Sequence, residues 1–282
     1  MIVTNNIKKI KSILKVQKKE NKMIGFVPTM GSLHKGHLSL VKMARSKSDF
    51  VVVSIFVNPI QFCQGEDYQN YPKNIKPDIN LLREEGVDLI FCPHPRDMYP
   101  SDFSVFVDET ELSEVLCGKS RSGHFRGVCT VLVKLFNIIL PDKVYFGQKD
   151  YQQALIVKRL IDNLNYDIRM YYLPTIREKD KLAMSSRNSY LKDNERLDSL
   201  CINEALSLGR KLIQQGETRV FVIVDKMKNV IIKKRTAKIV YIEILDAINL
   251  KSLKIVKGKI LIALAVYING TRLIDNTVIN VK

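Results

Sequence analysis

Several features common in secreted, membrane-spanning and zinc-binding proteins are missing from this sequence of 282 residues. Its five cysteines are an odd number and include no CxxC pair, which argues against a disulfide framework or a zinc knuckle. No apolar run reaches the roughly 18 residues that a transmembrane helix needs. The lysine-rich N-terminus lacks the compact apolar segment and the small-residue cleavage site of a signal peptide. We therefore expect a cytoplasmic protein with no membrane partner.

Acidic residues are also scarce, since 29 Asp and Glu face 45 Lys and Arg and leave a net charge of +16. Binding to nucleic acid is one interpretation of such a balance. The lysines are dispersed, however, and they outnumber arginine, the preferred reader of bases, by 31 to 14. We expect no nucleic-acid partner, although the positive field can attract a small acidic substrate.

The first half of the chain alternates apolar strand candidates with segments of helical length. Because the strand candidates are continuous runs rich in β-branched residues, they predict an α/β fold with a Rossmann-like parallel sheet. The predicted strands are 23–27, 50–57, 87–91, 143–146 and 168–173. The predicted helices are about 35–47, 74–85, 125–139 and 150–164. In such folds ligands bind beyond the carboxyl ends of the strands.

The second half has a different character and predicts a smaller α+β domain. Asn269-Gly270 separates two of its strand candidates and is a strong hairpin signal. We place the domain boundary between 174 and 175, which gives a Rossmann-like domain of 1–174 and a smaller α+β domain of 175–282. The predicted elements of the second domain are helices at about 193–215 and 217–233 and strands at 238–246, 258–268 and 272–280.

The segment Pro28–His37, PTMGSLHKGH, joins a predicted strand to a predicted helix. Such a junction gathers backbone N–H groups and the positive end of a helix dipole, so it predicts an anion site. Gly31 permits a positive φ or a close approach, and the imidazoles of His34 and His37 can hydrogen-bond a phosphate. The spacing is not that of a Walker A loop, and a zinc site would need a third ligand that is not nearby in sequence.

Other polar segments suit the same chemistry. Lys149 follows a predicted strand and can neutralise phosphate charge, whereas Asp150 suits either a ligand contact or a helix N-cap. The segment 181–187 resembles a mobile loop that supplies hydroxyls and one guanidinium to a polyphosphate. Its serines have no suitably spaced base and no nucleophile elbow, which argues against covalent catalysis. Arg121, His124 and Arg126 fit a substrate contact or a structural role equally well.

Taken together, the motifs resemble one family. Pro28–His37 is similar to the HxGH signature of adenylate-forming nucleotidyltransferases, and in its full form to the pantoate–β-alanine ligase family. Further motifs of that family follow in order: SIFVNPIQF (54–62), SGHFRG (122–127), YFGQKDYQQ (145–153), LAMSSRN (182–188) and RLIDN (272–276). The resemblance implies that ATP, with Mg²⁺, drives the condensation of pantoate with β-alanine through a pantoyl adenylate. It also implies a homodimer formed by the first domain.

The resemblance further implies residue roles. It assigns catalysis to His37, the proton donor, and to His34 and Lys149. Gln61 and Gln153 would bind substrate, Asn58 and Tyr71 would lie beside them, and Asp78 would contact Mg²⁺. The implied nucleotide contacts are Met30, Gly31, Ser32, Leu33, His34, Lys35, Gly36, His37, Gly147, Gln148, Lys149, Asp150, Ile176, Met184, Ser185, Ser186 and Arg187. Gln148 departs from the family, which commonly has Glu at this position.

Two alternative functions stay open at this stage. A fragment of a class I aminoacyl-tRNA synthetase shares the HxGH motif, but it would need a tRNA-binding domain for which the C-terminal residues leave little room. A non-enzymatic nucleic-acid binder is the other alternative, and salt-sensitive binding to a random oligonucleotide would identify it. For the homodimer, the segment 103–108 (FSVFVD) is a candidate edge strand.

Overall fold

The computed structural model describes residues 1–72 and 74–281, which form two compact units. The first unit consists of Met1–Thr110, Arg121–Gln148 and Gln153–Pro174. The second consists of Glu111–Ser120, Lys149–Gln152 and the chain from Thr175 onward. Each unit thus draws on three stretches of chain, and the domain boundary at 174/175 stays a prediction.

The first unit is built on a parallel sheet of six strands in the order β1-β4-β3-β2-β5-β6. Its central strands are apolar because helices cover both faces of a parallel sheet. Phe26, Val52 and Ile90 of these strands are fully buried. This architecture confirms the predicted α/β class. The strands are β1 (Ile2–Thr4), β2 (Ile24–Thr29), β3 (Phe50–Ile55), β4 (Leu89–Phe91), β5 (Lys143–Gly147) and β6 (Arg169–Leu173).

Helices connect these strands and continue into the second unit. Within the described residues they are α1 (Ile7–Lys19), α2 (Lys35–Lys47), α3 (Ile75–Glu84), α4 (Pro95–Met98), α5 (Leu116–Ser120), α6 (His124–Ile139), α7 (Tyr151–Asn163), α8 (Asp193–Ser199), α9 (Cys201–Gln214) and α10 (Val220–Ile231). The long predicted helix at 193–215 is in fact two helices, α8 and α9, which meet at Leu200. None of the described helices is both long enough and apolar enough to cross a membrane.

The first two elements of the chain, β1 and α1, are absent from the predicted elements. Strand β1 pairs with β4 at the edge of the sheet, and helix α1 buries Ile10 and Leu14. Asn6 caps this helix, because its side-chain oxygen accepts a 2.9 Å hydrogen bond from the N–H of Lys9. The Asn6 cap and the spacing of Ile10 and Leu14 are both local signals of a helix, although lysines fill the positions between them.

The prediction that 103–108 forms an edge strand is wrong. The segment is irregular, with the Val105 side chain exposed, and the Val107 N–H donates a 3.0 Å hydrogen bond to the Thr130 hydroxyl. In a strand the Val107 N–H would bond to the backbone of a neighbouring strand, whereas here it bonds to a side chain of helix α6. The guanidinium of Arg126 lies over the Phe106 ring, 4.1 Å from its centre, and holds the same segment against α6.

The second unit contains an antiparallel sheet of three strands, β7 (Ala237–Asp246), β8 (Gly258–Ile268) and β9 (Thr271–Val281). Asn269 and Gly270 both have positive φ, +43° and +89°, and form the predicted two-residue hairpin turn. Helices α9 and α10 bury Ile202 and Met227 in one apolar core with Ile262 of β8. Together with the parallel sheet, this confirms the predicted fold class.

Candidate active site

The candidate site lies where the strand order of the parallel sheet reverses. From β2 the chain moves to β3 and β4 on one side, whereas β5 and β6 lie on the other. In open α/β sheets, ligands bind outside the carboxyl ends of the strands at such a switch point. The loop that follows Thr29 leaves the carboxyl end of β2, and Gly147-Gln148 leaves that of β5. Because β2 pairs with β5, the loop after Thr29 and the residues Gly147-Gln148 lie at the carboxyl ends of neighbouring strands.

A buried carboxylate shapes the loop after β2. Gly31 and Ser32 both have positive φ, +88° and +53°, which turns the next two N–H groups toward helix α3. There the Ser32 N–H donates to Asp78 Oδ2 at 2.9 Å and the Leu33 N–H donates to Oδ1 at 2.8 Å. Burial raises the pKa of Asp78, and these two hydrogen bonds offset part of that rise. Asp78, which we predicted as a Mg²⁺ contact, therefore holds the loop backbone with both of its oxygens.

The two histidines at the start of α2 have assigned proton positions. The Gly36 N–H donates to His34 Nδ1 at 3.1 Å, and the His34 N–H donates to His37 Nδ1 at 3.3 Å. A ring nitrogen that accepts a hydrogen bond carries no proton, so both neutral rings bear their proton on Nε2. The ring centres lie 4.1 Å apart. The junction therefore carries two Nε2–H groups beside the positive end of a helix dipole.

This arrangement differs from the predicted anion site in one respect. We expected the loop N–H groups to serve an anion, but those of Gly31, Ser32 and Leu33 bond to Thr29 and Asp78 within the protein. The imidazoles and the helix dipole remain as the groups suited to a phosphate.

A chain of amides links the loop to the next strand end. The Gln61 Nε2 group donates to the Met30 sulfur at 2.9 Å, and Asn58 Nδ2 donates to Gln61 Oε1 at 3.0 Å. The Tyr99 hydroxyl donates to Asn58 Oδ1 at 2.7 Å, and burial raises the pKa of that hydroxyl. Asn58 is only 1% exposed. The structure thus brings the predicted site residues Met30, Asn58 and Gln61 together, with Asn58 behind Gln61.

The remaining predicted residues of the first unit lie on separate elements. Gly147 ends β5 opposite Leu173, and Gln148 begins the short turn that follows. Gln153 is half-buried in the first turns of α7. Tyr71 is buried with its ring edge-on to Phe62, the centres 5.9 Å apart.

In the second unit, Lys149 and Asp150 form a loose ion pair with 3.9 Å between Nζ and Oδ1. The Lys149 carbonyl accepts a 2.7 Å hydrogen bond from Asn276 Nδ2, which ties this turn to strand β9. Asn276 belongs to the RLIDN motif, so this motif has a structural role here that its sequence did not reveal.

The predicted phosphate segment 184–187 sits at the end of a tight hairpin. The Met184 N–H donates to the Ile176 carbonyl at 3.0 Å, and Arg177 bridges to Ala183 in the antiparallel sense. The Ser185 hydroxyl accepts from the Arg187 N–H at 3.3 Å and caps the turn Ser186–Tyr190. Ile176, predicted to contact adenine through its backbone, thus uses its carbonyl within the hairpin.

Two arginines anchor this hairpin inside the second unit. Arg177 donates to both oxygens of Asp275, at 2.6 and 3.0 Å, and Asp275 is 2% exposed. Arg196 bonds Glu178 and Asp180, where the carboxylates are more exposed. Burial by itself raises the pKa of Glu178, but its bonds to Arg196 and Asn188 lower it below the ordinary value. The segment is a hairpin held by these ion pairs within the second unit, and its mobility stays a prediction.

Sequence reasoning missed the residues that hold the site residues in place. Tyr99 contacts Asn58 and Glu66 contacts Arg121, but a tyrosine or glutamate in a loop carries no local sequence signal of such a role. Within residues 1–72 and 74–281, no group of three or more His, Cys, Asp or Glu is arranged to hold a metal ion.

Comparison with known proteins identifies the relatives of this chain. A sequence profile described as Pantoate-beta-alanine ligase matches residues 2–278. A pantothenate synthetase of Caldicellulosiruptor saccharolyticus is 48% identical over 281 residues, which cover 100% of both chains. One from Fervidobacterium nodosum is 49% identical and covers 99% of this chain and 100% of its own.

Two solved structures agree with these matches. The crystal structure of pantothenate synthetase from Thermus thermophilus has a TM-score of 0.93 and 38% identity, covering 98% of this chain and 99% of that one. A pantoate-beta-alanine ligase from Francisella tularensis has a TM-score of 0.81 and 37% identity, covering 98% of this chain and 97% of that one. The latter was crystallised with beta-gamma ATP and beta-alanine.

Proposed function

This chain belongs to the pantoate-beta-alanine ligase family and is a ligase, and on that premise we propose how it joins pantoate to β-alanine. ATP activates the pantoate carboxylate as a pantoyl adenylate, with release of diphosphate. The amine of β-alanine then attacks the acyl carbon, and AMP leaves as pantothenate forms. One observation carries this proposal: two imidazoles hold Nε2–H donors at the helix terminus beyond β2, where the strand order reverses.

The chemistry explains why such donors suffice. A carboxylate is a poor acyl donor because oxide would have to leave, whereas AMP is a good leaving group. Attack on the α-phosphorus needs positioning and neutralisation of charge, and no protein nucleophile. Fixed N–H donors supply this without reorganising as the reaction proceeds.

We assign the residues accordingly. His37, His34 and Lys149 would stabilise the charge that develops on diphosphate, and Gln61 and Gln153 would bind the carboxylate substrates. Asn58 supports Gln61, and Tyr71 lies in its neighbourhood. The proposed nucleotide contacts are Met30, Gly31, Ser32, Leu33, Lys35, Gly36, Gly147, Gln148, Asp150, Ile176, Met184, Ser185, Ser186 and Arg187.

The described residues do not fit a Mg²⁺ site built by the protein alone. Asp78, the predicted contact, is buried and accepts two backbone N–H groups. Mg²⁺ commonly binds through substrate phosphates and water, with few protein ligands. We therefore treat MgATP as a substrate and derive no step through the metal.

An isotope experiment tests the adenylate. With ¹⁸O in the pantoate carboxylate, one labelled oxygen is expected in AMP after the full reaction, because that oxygen bonds to the α-phosphorus in the intermediate. Omitting β-alanine should still yield diphosphate and enzyme-held adenylate. Label found in diphosphate, or AMP free of label, would exclude this course.

A second prediction concerns Asp78. Asp78→Asn places an NH₂ group against a backbone N–H, so the loop 31–33 should lose one anchor. We expect KM for ATP to rise roughly 10- to 100-fold, since the lost bond to a charged acceptor is worth about 1.5–3 kcal/mol. The matched control is Asp97→Asn, on the exposed face of α4. Equal KM values in the two variants would remove Asp78 from the loop-holding role.

Two further proposals concern assembly and location. We propose a homodimer, since two-fold dimers are the commonest soluble oligomers. We also propose a cytoplasmic location. Light scattering at micromolar concentration is expected to give twice the mass of one chain, and a purely monomeric mass would refute the dimer.

A further inference from the structure

The motif SGHFRG has no role in the chemistry above, yet it forms a connected polar relay with the segment that carries Gln61. We define the relay as Glu66, Arg121 and His124, all in the first unit. Arg121 donates to the two oxygens of Glu66, Nε to Oε1 at 2.5 Å and one Nη to Oε2 at 2.8 Å. Its other Nη lies 2.8 Å from His124 Nε2, and His124 Nδ1 lies 2.8 Å from the Gln61 carbonyl.

The donors and acceptors of this relay allow one arrangement of protons. A guanidinium can only donate, so His124 Nε2 must accept from Arg121. A carbonyl can only accept, so His124 Nδ1 must carry the proton and donate it to Gln61. His124 is therefore neutral with its proton on Nδ1, the opposite tautomer to those of His34 and His37.

The charge at the far end of the relay holds Arg121 in place. Burial by itself raises the pKa of Glu66, but the hydrogen bonds and ion pair with Arg121 and the N–H of Cys63 lower it below its ordinary value. The carboxylate is thus ionised at neutral pH and holds Arg121 in a two-point bond. A guanidinium fixed in this way keeps one N–H directed at His124.

Close packing explains why the histidine reaches Gln61. At Gly127, one turn along α6, an added Cβ would lie 2.3 Å from the Ile60 carbonyl oxygen and 2.7 Å from the Gln61 Cα. Glycine is the residue that permits this approach. The Gly127 carbonyl also accepts a 3.1 Å bond from Asn58 Nδ2, so α6 holds the Gln61 segment at two points.

We propose that Arg121 and His124 are positioning residues that place Gln61 for the carboxylate substrates. The Nδ1–H of His124 fixes the Gln61 backbone, while Asn58 and Met30 fix its side-chain amide. This inference rests on the proposed substrate role of Gln61. It assigns the SGHFRG motif to substrate affinity rather than to contact with the phosphates.

Two substitutions of His124 distinguish the role of its Nδ1 from that of its Nε2. In His124→Asn the amide nitrogen can replace Nδ1 and still donate to Gln61, whereas in His124→Gln the amide oxygen replaces Nε2 and the donor to Gln61 is lost. We expect His124→Gln to raise KM for pantoate or β-alanine roughly tenfold, as for one lost bond of about 1.4 kcal/mol. KM for ATP should stay within about twofold, and His124→Asn should recover most of the lost affinity. The matched control is His94→Gln, an exposed histidine on α4's cap.

A second measurement reads the tautomer without turnover. In protein labelled with ¹⁵N at its imidazoles, His124 should show a proton on Nδ1 and a bare Nε2, and Arg121→Met should abolish this pattern. A proton on Nε2 in the unaltered protein would overturn the relay. So would equal KM changes for all three substrates in His124→Gln, since that result indicates general loosening.

Gln61→Ala separates failure of the relay from failure of the proposed function. If Gln61→Ala raises KM for a carboxylate substrate but His124→Gln does not, the relay is wrong and the role of Gln61 stands. If Gln61→Ala leaves both KM values unchanged, the substrate role of Gln61 is wrong, and the positioning inference falls with it.

Discussion

Replacing His37 by Ala is expected to lower kcat roughly 10²- to 10³-fold, the size of effect that one preorganised donor has in other enzymes. Negative charge develops on diphosphate only as it leaves, so an Nε2–H aimed at it acts on the transition state more than on the bound substrate. KM for ATP should therefore change much less than kcat. Single-turnover release of diphosphate measures the affected step directly.

The design must separate this donor from the capping role of the same ring, because His37 Nδ1 also accepts the His34 N–H. His37→Asn keeps an acceptor near Nδ1 but has no group at Nε2, so it should lose as much activity as His37→Ala while keeping the thermal stability. The control is His94→Ala, which removes an exposed histidine that hydrogen-bonds to Asn5 and has no proposed role in the site. An unchanged kcat in folded His37→Asn would remove His37 from the catalytic step.

The largest expected effect on stability comes from Arg177→Met. Asp275 is buried and pairs with Arg177 through two hydrogen bonds. Among the described residues, the substitution leaves this buried carboxylate with the N–H of Asn276 as its remaining donor. Breaking a buried pair from one side costs about 3–5 kcal/mol, and the partial exposure of Arg177 places this case near 3 kcal/mol. Chemical denaturation followed by fluorescence of the tyrosines, or calorimetry, should show the loss.

Arg196→Met provides the comparison, since it removes an arginine from the same hairpin whose partners, Glu178 and Asp180, are more exposed. Exposed pairs contribute about 1 kcal/mol or less, so this variant should be the more stable of the two. Double substitution of Arg177 and Asp275 by Met and Leu should recover part of the loss, because it removes both charges together. Equal stabilities for Arg177→Met and Arg196→Met would show that burial of Asp275 does not govern the hairpin.

Much of the architecture was predictable because it depends on local pattern. Apolar runs of β-branched and aromatic residues at 50–55 and 143–146 indicate buried strands, and Asn269-Gly270 is typical of a tight hairpin turn. The HxGH segment predicted a phosphate site because its two histidines and its glycines lie at a strand-to-helix junction. Prediction failed where a local pattern has two solutions, as in 103–108, which contacts helix α6 through Val107 and Phe106 instead of pairing with a strand.

The sequence by itself thus determined the fold class, the family and the kinds of side chain at the site. Only the tertiary structure decided how those side chains are used. Asp78 is 46 residues from Ser32, yet it takes the loop N–H groups that the sequence assigned to an anion. His124 and Gln61, 63 residues apart, meet because Gly127 lets two backbones touch. The position of the proton on the His124 ring depends on which donor and which acceptor lie against it, and long-range packing determines those neighbours.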